Sequence, residues 1–158
     1  SDEAISSGGD IWPHLAGAAP HTVLAVSGGA IGQGLPVALG AALACRDRKV
    51  VALEADGSGM YTLQALWTMA REGADVVAVI LANRRYRILE IEMRRTGAKQ
   101  IGPAAAGMMD LSRPDLDWVL LSKGMGVPAT RARTAEEFTA AFAAAMQDRG
   151  PRLIEALI

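Results

Sequence analysis

An aspartate and an asparagine each follow a short hydrophobic segment, and both side chains are of the kind that binds a hard divalent metal. Asp56 begins the run Asp-Gly-Ser-Gly after one segment, and Asn83 follows the next segment 27 positions later. Glycines let a backbone approach a ligand closely, and N–H groups at a helix start favour phosphate. Because a carboxylate there would repel phosphate unless a cation lay between them, Asp56 indicates a Mg²⁺ ion that bridges it to a diphosphate. The amide oxygen of Asn83 is a candidate second ligand, and a loop carbonyl oxygen is a third.

Both residues also have ordinary structural interpretations when each is taken alone. Asp-Gly after a strand is more often a turn or a helix cap, and a single asparagine there is usually a turn residue. The order of strand, Asp-Gly, helix, strand and Asn is more specific than either half. A dinucleotide-binding domain is a further alternative, because glycines cluster at positions 28, 29, 32 and 34. These glycines do not match Gly-x-Gly-x-x-Gly, and such a domain would leave Asp56 and Asn83 unexplained.

The elements that position these residues follow from the alternation of short β-branched segments with longer Ala/Leu-rich ones. This alternation predicts a three-layer, doubly wound α/β fold with a mainly parallel sheet and helices on both faces. Ligands bind beyond the carboxyl ends of the strands in such sheets. The predicted strands are residues 22–26, 49–54, 76–81, 128–132 and 153–158. The predicted helices are residues 32–45, 61–71, 85–95, 115–123 and 134–148, and residues 96–113 are predicted to form a loop.

Length, charge and cysteine content exclude several classes of protein. A chain of 158 residues predicts a single domain, and its formal net charge of -1 favours neither a nucleic acid nor an anionic membrane as partner. No run reaches the ~18 apolar residues that a membrane span needs. The single cysteine, Cys45, cannot form an internal disulfide, so we expect a cytoplasmic location. The polar start without a methionine leads us to expect one domain of a longer protein.

Several other side chains are predicted to be structural. His14 and His21 share no metal-binding spacing and are interpreted as surface or turn residues. Cys45, Trp67 and Trp118 are predicted to be buried. The remaining predictions are a loop packing onto its own domain at Met108-Met109, a solvated helix end at Arg94-Arg95, and a capping box formed by Thr134 and Glu137.

Three segments of the chain resemble the C-terminal cofactor domain of thiamine-diphosphate-dependent enzymes, in particular the acetolactate synthase and benzoylformate decarboxylase group. They are GGAIGQGLPVALGAALA, DGSGMYTLQALWTMAREGADVVAVILAN and GPRLIEALI. The family motif begins Gly-Asp-Gly and ends Asn-Asn after about the same interval. The resemblance implies a domain that binds thiamine diphosphate and Mg²⁺ in a 2-oxo acid carboligase or decarboxylase, most similar to acetolactate synthase and acting on a 2-oxo acid such as pyruvate. Residues 1–158 would then be the C-terminal part of a three-domain enzyme that forms a homodimer or homotetramer.

The resemblance also implies which residues bind the metal and the diphosphate. Asp56, the side chain of Asn83 and the backbone oxygen of Arg85 would be the protein ligands of Mg²⁺. The backbone N–H groups of Gly57 and Ser58 would contact the diphosphate.

The rest of the cofactor site follows from the same resemblance. The segment Gly29-Ala30-Ile31-Gly32 would cradle the aminopyrimidine, with the carbonyl of Gly29 accepting a hydrogen bond from its amino group. Ile31 would wedge between the two rings and impose the bent cofactor shape. Ile88 and Leu89 would line the substrate side. Further expected cofactor contacts are Ser6, Ala30, Tyr86 and Ile88.

The chain departs from the family pattern at several points. Ala55 replaces the first glycine of the motif, Ala82 replaces the first asparagine, and Arg84 and Arg85 stand where smaller or acidic residues are common. In the family, the glutamate that activates the pyrimidine comes from an N-terminal domain, so no catalytic residue is expected in these residues. A catalytically inactive cofactor-domain module that serves structure or assembly is therefore the alternative function.

Overall fold

A single parallel sheet forms the centre of the molecule. The computed structural model describes residues 1–158, with the exception of the side chain of Asp10. The strands are β1 (Asp2–Glu3), β2 (Val50–Ala55), β3 (Val76–Ala82), β4 (Ala129–Ala132) and β5 (Arg152–Leu157). They lie in the order β1-β2-β3-β5-β4, and every neighbouring pair is parallel. The helices are α1 (Trp12–Leu15), α2 (Gly34–Ala44), α3 (Asp56–Gly59), α4 (Ala65–Glu72), α5 (Arg87–Arg95), α6 (Pro103–Met109), α7 (Trp118–Gly124) and α8 (Ala135–Gln147).

Helices cover both faces of the sheet, which confirms the predicted three-layer α/β fold. On one face, side chains of α2, α4 and α7 pack against β2 and β3, with Leu35, Leu66 and Trp118 fully buried. On the other face, α8 packs against β3, β4 and β5. The central strand β3 alternates its side chains between these two cores, and for that reason its sequence is apolar at every position. Among the described residues, no helix is long and apolar enough to cross a membrane.

The strand predicted at residues 22–26 is wrong apart from one isolated bridge, between Ala25 and Asp2. The edge of the sheet is formed instead by β1, which comes before it in the chain. Only two backbone hydrogen bonds join β1 to residues 22–26. The N–H of Asp2 donates to the carbonyl of Leu24, and the N–H of Val26 donates to the carbonyl of Asp2. Because β1 has only two residues before the 3₁₀ helix at Ile5–Ser7, it is too short to pair along the whole of residues 22–26.

One predicted helix boundary and one predicted loop also differ from the structure. The segment predicted to be a loop, residues 96–113, contains α6, which begins at Pro103. Proline is favoured in a first helical turn, and three alanines follow it, so the local sequence does support a helix here. The helix predicted from residue 61 begins only at Ala65, after the separate short helix α3.

The predictions for buried side chains had mixed outcomes. Trp118 is buried as expected, whereas Trp67 is 52% exposed and the guanidinium of Arg71 lies 5.3 Å from its ring centre. The buried side of α4 is formed by its neighbours Leu66 and Met69, so the tryptophan lies on the solvent side. Cys45 is half-buried rather than fully buried. Of the methionine pair, Met109 packs into the domain and Met108 is exposed. His14 and His21 are both exposed, as predicted.

The start of α8 has the predicted cap with one modification. Thr134 accepts the N–H of Glu137 on its hydroxyl oxygen at 3.2 Å. The return bond does not go to Thr134. The Glu137 carboxylate accepts the N–H of Arg133 at 2.7 Å, one residue earlier. The motif therefore fixes the chain from β4 into α8, but through a wider loop than the standard capping box.

A cluster of charges joins the amino ends of the strands, opposite the edge where Asp56 lies. Asp75, just before β3, accepts hydrogen bonds from Lys49 and from Arg149, the latter at 3.0 Å. Burial opposes ionisation of Asp75, but the bonds and charges of Lys49 and Arg149 outweigh it, and its pKa is lowered. A lowered folded pKa stabilises the fold above the ordinary aspartate pKa, and this contribution is lost as the pH falls through the folded value.

We expect Asp75→Asn to lower the free energy of unfolding by about 1 kcal/mol at neutral pH, because it removes a charge that two cations share. The difference from the unsubstituted chain should narrow as the pH falls below the ordinary aspartate pKa of about 4. Urea unfolding at neutral and acidic pH measures both effects, with the exposed Asp47→Asn as control. A difference that stays constant on acidification would contradict the proposed role of the Asp75 charge.

Candidate functional site

Asp56 connects the carboxyl ends of two neighbouring strands. It is the first residue of α3, directly after β2, and it is only 2% exposed. Its Oδ1 accepts the N–H of Gly57 at 2.9 Å, and its Oδ2 accepts the N–H of Arg84 at 2.6 Å. Arg84 follows β3, so one carboxyl group fixes the turn after β2 against the turn after β3. The two turns that the sequence analysis singled out thus lie side by side.

The surroundings of Asp56 disfavour its ionised form unless a cation lies close to it. Burial raises the pKa of Asp56, and the two backbone N–H groups only partly offset this effect, while the charge of Asp115 adds to it. A buried carboxylate with a raised pKa is stabilised in its ionised form when a cation lies next to it. The carboxyl group of Asp56 is therefore chemically suited to a metal ion.

The turn after β3 presents further oxygen ligands. Arg84 has a left-handed backbone (φ 59°), an uncommon conformation for a residue with a side chain. This conformation directs its N–H to Asp56 while its carbonyl accepts the N–H of Leu111 at 2.9 Å. The Asn83 Oδ1 accepts the N–H of Arg85 at 3.0 Å. Among the described residues, nothing donates a hydrogen bond to the carbonyl of Arg85.

Together these groups make up a candidate all-oxygen donor set. It consists of the carboxylate of Asp56, the amide oxygen of Asn83 and the carbonyl of Arg85, all at one edge of the sheet. Mg²⁺ prefers oxygen ligands of these kinds and usually completes its shell with phosphate and water. In the described part of the chain, no three His, Cys, Asp or Glu side chains cluster as metal ligands. The residues present therefore fit Mg²⁺ and do not fit a thiolate or imidazole site.

The side chains of Tyr86 and Leu111 lie so close to the backbone of Gly57 that they leave no room for a side chain there. A Cβ atom placed on Gly57 would lie 2.8 Å from Cδ1 of the Tyr86 ring and 3.1 Å from Cδ1 of Leu111. The glycine thus lets the Tyr86 ring cover the start of α3. Ser58 is also buried, and its hydroxyl donates to the carboxyl of Glu54, so its side chain points into the fold. Only backbone groups remain for the predicted diphosphate contact, and of these the N–H of Gly57 already donates to Oδ1 of Asp56.

We expect Gly57→Ala to destabilise the chain by about 1–3 kcal/mol, because the added methyl group must displace the Tyr86 ring. Thermal unfolding measures the loss. Gly107→Ala is the matched control, since Gly107 lies in α6 with open space around its Cβ position and alanine favours a helix. Equal stability of Gly57→Ala and the unsubstituted chain would show that Tyr86 does not pack there.

An open groove of about 550 Å³ lies next to the Asp56 turn. Four residues predicted for the cofactor or substrate side line it together: Ile31, Tyr86, Ile88 and Leu89. Met108 and Met109, predicted to pack onto their own domain rather than to cover a substrate pocket, line it as well. The lining residues that the sequence did not indicate are Tyr61, Glu92, Met93, Thr96 and Ala105. The helical period of α5 could have identified Glu92, which lies one turn beyond Ile88 on the same helix. The groove is mainly apolar, and Glu92 is its single carboxyl group.

The glycine-rich loop before α2 contributes Ile31 to the lining of the groove. Gly28 and Gly29 have φ angles of 61° and 69°, and this part of the loop is exposed. The carbonyl of Gly29 accepts the N–H of Ile31 at 3.0 Å within the loop. A carbonyl oxygen has two lone pairs, so one remains for a ligand. The role predicted for Gly29 and Ala30 towards an aminopyrimidine stays a prediction.

Ser6 does not line the groove. It lies in the 3₁₀ helix Ile5–Ser7 and is half-buried. Its predicted contact with a diphosphate stays a prediction.

A buried carboxyl that the sequence analysis did not single out lies beneath the Asp56 turn. Burial raises the pKa of Glu54 to about 8, the hydrogen bond from Ser58 lowers it in part, and the charge of Glu3 raises it further. Its Oε2 has no hydrogen-bond partner among the described residues. The raised pKa favours the neutral form of this side chain, which would limit the negative charge near the predicted diphosphate position.

Comparison with known proteins identifies the domain. Residues 8–156 match the family model of the thiamine pyrophosphate enzyme, C-terminal TPP binding domain. The chain belongs to this thiamine pyrophosphate enzyme family.

Individual members of the family cover nearly the whole chain. It is 48% identical over 158 residues to IlvX of Mycobacterium tuberculosis, which carries the name of an acetolactate synthase large subunit, and this match covers 99% of the chain and 31% of IlvX. It is 34% identical over 153 residues to benzoylformate decarboxylase of Pseudomonas aeruginosa, covering 97% and 28% of the two chains. The solved thiamine diphosphate-dependent 4-hydroxybenzoylformate decarboxylase of Rhodococcus jostii superposes with a TM-score of 0.72 at 39% identity, covering 80% and 23%. The chain thus spans about a third or less of the length of these relatives.

The two alanines that depart from the thiamine pyrophosphate enzyme motif fit without disturbing the donor set. Ala82 is buried at the end of β3, and Ala55 is half-buried at the end of β2. Asp56 and Asn83, which follow them, keep their places at the strand ends. The structure therefore gives no physical reason to exclude metal binding on account of Ala55 or Ala82.

Proposed function

We propose that this chain binds thiamine diphosphate through Mg²⁺ and serves as the cofactor domain of a 2-oxo acid carboligase or decarboxylase, most similar to acetolactate synthase. The observation that carries the proposal is the direct bond between Asp56 and the turn after β3. That bond joins a buried carboxylate to the turn that contains Asn83 and Arg85, the two further ligands in this proposal. Membership of the thiamine pyrophosphate enzyme family supports thiamine diphosphate as the cofactor, and the candidate donor set supports Mg²⁺ as the metal.

Each part of the site has a task in this proposal. Asp56, Asn83 and Arg85 hold Mg²⁺, which neutralises the charge between Asp56 and the diphosphate. The backbone N–H of Ser58 would contact the diphosphate, and that of Gly57 would be shared between the diphosphate and Oδ1 of Asp56.

Ile31 and Tyr86, which both line the groove, would contact the organic part of the cofactor. When bound, thiamine diphosphate supplies the electron sink for a carbanion, and the protein supplies orientation and a dry environment.

The substrate of the whole protein is proposed to be a 2-oxo acid. Benzoylformate, which is a 2-oxo acid, gives one relative its name, and another is named an acetolactate synthase large subunit. In the proposal, Ile88 and Leu89 face the substrate, and pyruvate is the first candidate. The apolar lining of the groove would help to keep water from the reaction once the rest of the protein covers it.

The proposal further includes the assembly of the whole protein. We expect residues 1–158 to be the C-terminal part of a three-domain chain that forms a homodimer or homotetramer. The pyrimidine-activating glutamate would come from an N-terminal domain packed over the groove. Exposed apolar side chains at the groove, among them Tyr61, Leu89 and Met108, support a protein surface that is covered in the assembly. A cytoplasmic location stays our expectation.

A catalytically inactive module is the second candidate function. Ala55 and Ala82 favour it, because both replace residues of the family motif at the strand ends. Such a module would keep the fold and the groove but would not bind thiamine diphosphate in a metal-dependent way.

Calorimetric titration with thiamine diphosphate, with and without Mg²⁺, distinguishes the two functions. We expect binding that requires Mg²⁺, and no binding of thiamine, which lacks the diphosphate that bridges to the metal. Binding that is indifferent to Mg²⁺ would contradict the proposed donor set. Absence of binding under both conditions, in this chain and in the longest polypeptide that contains it, would favour the inactive module.

A further inference from the structure

Glu3 is a buried carboxyl group that lies beside the candidate site without belonging to the metal-binding set. It is the second residue of β1 and is only 1% exposed. One of its oxygens accepts the backbone N–H of Gly32, and the other accepts the backbone N–H of Gly34. A single side chain on the edge strand thus holds two amides that lie 29 and 31 positions away in the sequence.

The two glycines are required by the close packing around this carboxyl group. Gly32 has a φ angle of 94°, and a Cβ atom on it would lie 2.8 Å from the Cβ of Tyr61. A Cβ atom on Gly34 would lie 2.8 Å from the Cβ of Glu3. The carbonyl of Gly32 also accepts a hydrogen bond from the hydroxyl of Thr62 at 2.8 Å. Gly32 to Gly34 is therefore held on both sides, by β1 and by the turn after α3.

Glu3 also replaces a missing helix cap. Gly34 is the first residue of α2, and Gln33 before it makes no side-chain cap bond. The first N–H groups of a helix lack partners within the helix and attract negative charge. The carboxyl group of Glu3 satisfies one of them from a different element, which fixes where α2 begins relative to the sheet.

The part of the loop just before this anchored segment is held much less firmly. Ala30 donates its N–H to the carbonyl of Ser27 at 3.2 Å, and Ile31 donates to Gly29 at 3.0 Å. Both bonds stay within the loop, and residues 27–31 are mainly exposed. Ile31 is the neighbour of Gly32, so the position of its side chain depends on the anchored residue that follows it.

We propose that Glu3 is a positioning residue, which fixes Gly32 and Gly34 and thereby the place of Ile31 against the cofactor. The step from Ile31 to the cofactor rests on the proposed function, whereas the anchoring of the loop does not. Glu3→Gln is the sharpest substitution, because the amide keeps the size of the carboxyl group. Its NH₂ group cannot accept a hydrogen bond, so one of the two glycine amides loses its partner.

Amide hydrogen exchange tests the anchoring without any cofactor. In the unsubstituted chain, the amides of Gly32 and Gly34 should exchange as slowly as those of β2, and the amide of Ala30 should exchange much faster. In Glu3→Gln, exchange across residues 29–34 should rise by at least about tenfold while β3 stays protected. Glu155→Gln is the matched control, because Glu155 is equally buried but lies on β5. Glu155→Gln should raise amide exchange across the whole fold, so that exchange of the loop does not rise relative to that of β3.

Cofactor affinity tests the positioning of Ile31. Glu3→Gln should weaken Mg²⁺-dependent binding of thiamine diphosphate by about tenfold, and adding Ile31→Ala to it should cause little further loss. Independent, additive losses would overturn the role of Glu3, as would unchanged exchange of residues 29–34 in Glu3→Gln. If Glu3→Gln does not fold, fast exchange of Gly32 and Gly34 in the unsubstituted chain would overturn the proposal instead. Should the unsubstituted chain fail to bind thiamine diphosphate, the proposed function fails, and the exchange result still decides whether Glu3 anchors the loop.

Discussion

Asp56→Asn is expected to weaken Mg²⁺-dependent binding of thiamine diphosphate by at least about 100-fold, or about 2.7 kcal/mol. The amide keeps the size of the carboxyl group, and its oxygen can still accept the N–H of Arg84 that joins the two turns. It carries no charge, so the metal loses its anionic protein ligand and the diphosphate loses its bridge to the protein. Calorimetric titration at saturating Mg²⁺ measures the change, with thermal unfolding to confirm that the variant is folded.

Asp115→Asn is the control for this prediction. Asp115 is an exposed carboxylate at the same end of the sheet, paired with Arg84 at 2.9 Å, and its charge acts on Asp56. Because it is not a ligand in our proposal, its loss should change the affinity by less than about threefold. Equal losses in the two variants would point to a general effect of charge near the site and would contradict coordination by Asp56.

Arg131→Ala is expected to lower the free energy of unfolding by about 3–5 kcal/mol. The Nε of Arg131 donates to Glu155 at 2.8 Å, and its Nη2 lies 2.8 Å from the carboxylate of Asp117. Glu155 is 1% exposed, and burial raises its pKa while the bond and charge of Arg131 lower it in part. Removing the arginine leaves a buried carboxyl group without its cation, and such a group is costly to keep in the fold.

The double variant Arg131→Leu with Glu155→Leu separates the cost of an unpaired carboxyl group from the worth of the pair. Replacing both members by apolar side chains of similar size should leave the free energy of unfolding within about 1–2 kcal/mol of the unsubstituted chain. Urea unfolding at neutral pH measures all three chains. A double variant that is less stable than Arg131→Ala would show that the ion pair itself, and not the unpaired carboxyl group, governs the stability.

The central part of the fold could be predicted from sequence because its elements have strong local patterns. β3 is apolar throughout, and α8 is preceded by a threonine that has a glutamate three residues after it. The edge of the sheet could not be predicted in this way. Residues 22–26 are β-branched and apolar, yet they pair at a single bridge, whereas the polar Asp2–Glu3 forms the edge strand. Pairing at an edge depends on which neighbour is available, and sequence periodicity does not contain that information.

The exposed Trp67 shows a second limit of local patterns. Leu63, Leu66, Trp67 and Ala70 have helical spacing, but a helix buries only one side, and the pattern did not decide which apolar residues lie there. In the structure Leu66 is buried and Trp67 faces solvent below Arg71.

The candidate site was predictable where its residues lie at strand ends. Asp56 and Asn83 follow β2 and β3, and parallel strands bring their carboxyl ends together, so sequence order alone predicts that they are neighbours. Glu3 was not predictable, because its partners are backbone amides of glycines far along the chain. A glutamate in a polar terminal segment has no local signal that distinguishes it from a solvated side chain. Its two hydrogen bonds depend on the position of the glycine loop next to β1, which only the three-dimensional structure shows.

Manganese offers the most direct test of the central claim that this chain holds thiamine diphosphate through a metal on Asp56, Asn83 and Arg85. Mn²⁺ accepts the same oxygen ligands as Mg²⁺, and its unpaired electrons broaden the NMR signals of nearby nuclei. With thiamine diphosphate present, we predict selective loss of the amide signals of residues 56–58 and 83–86, while those of α8 remain sharp. Uniform broadening, or selective broadening at a different place in the chain, would contradict the metal site.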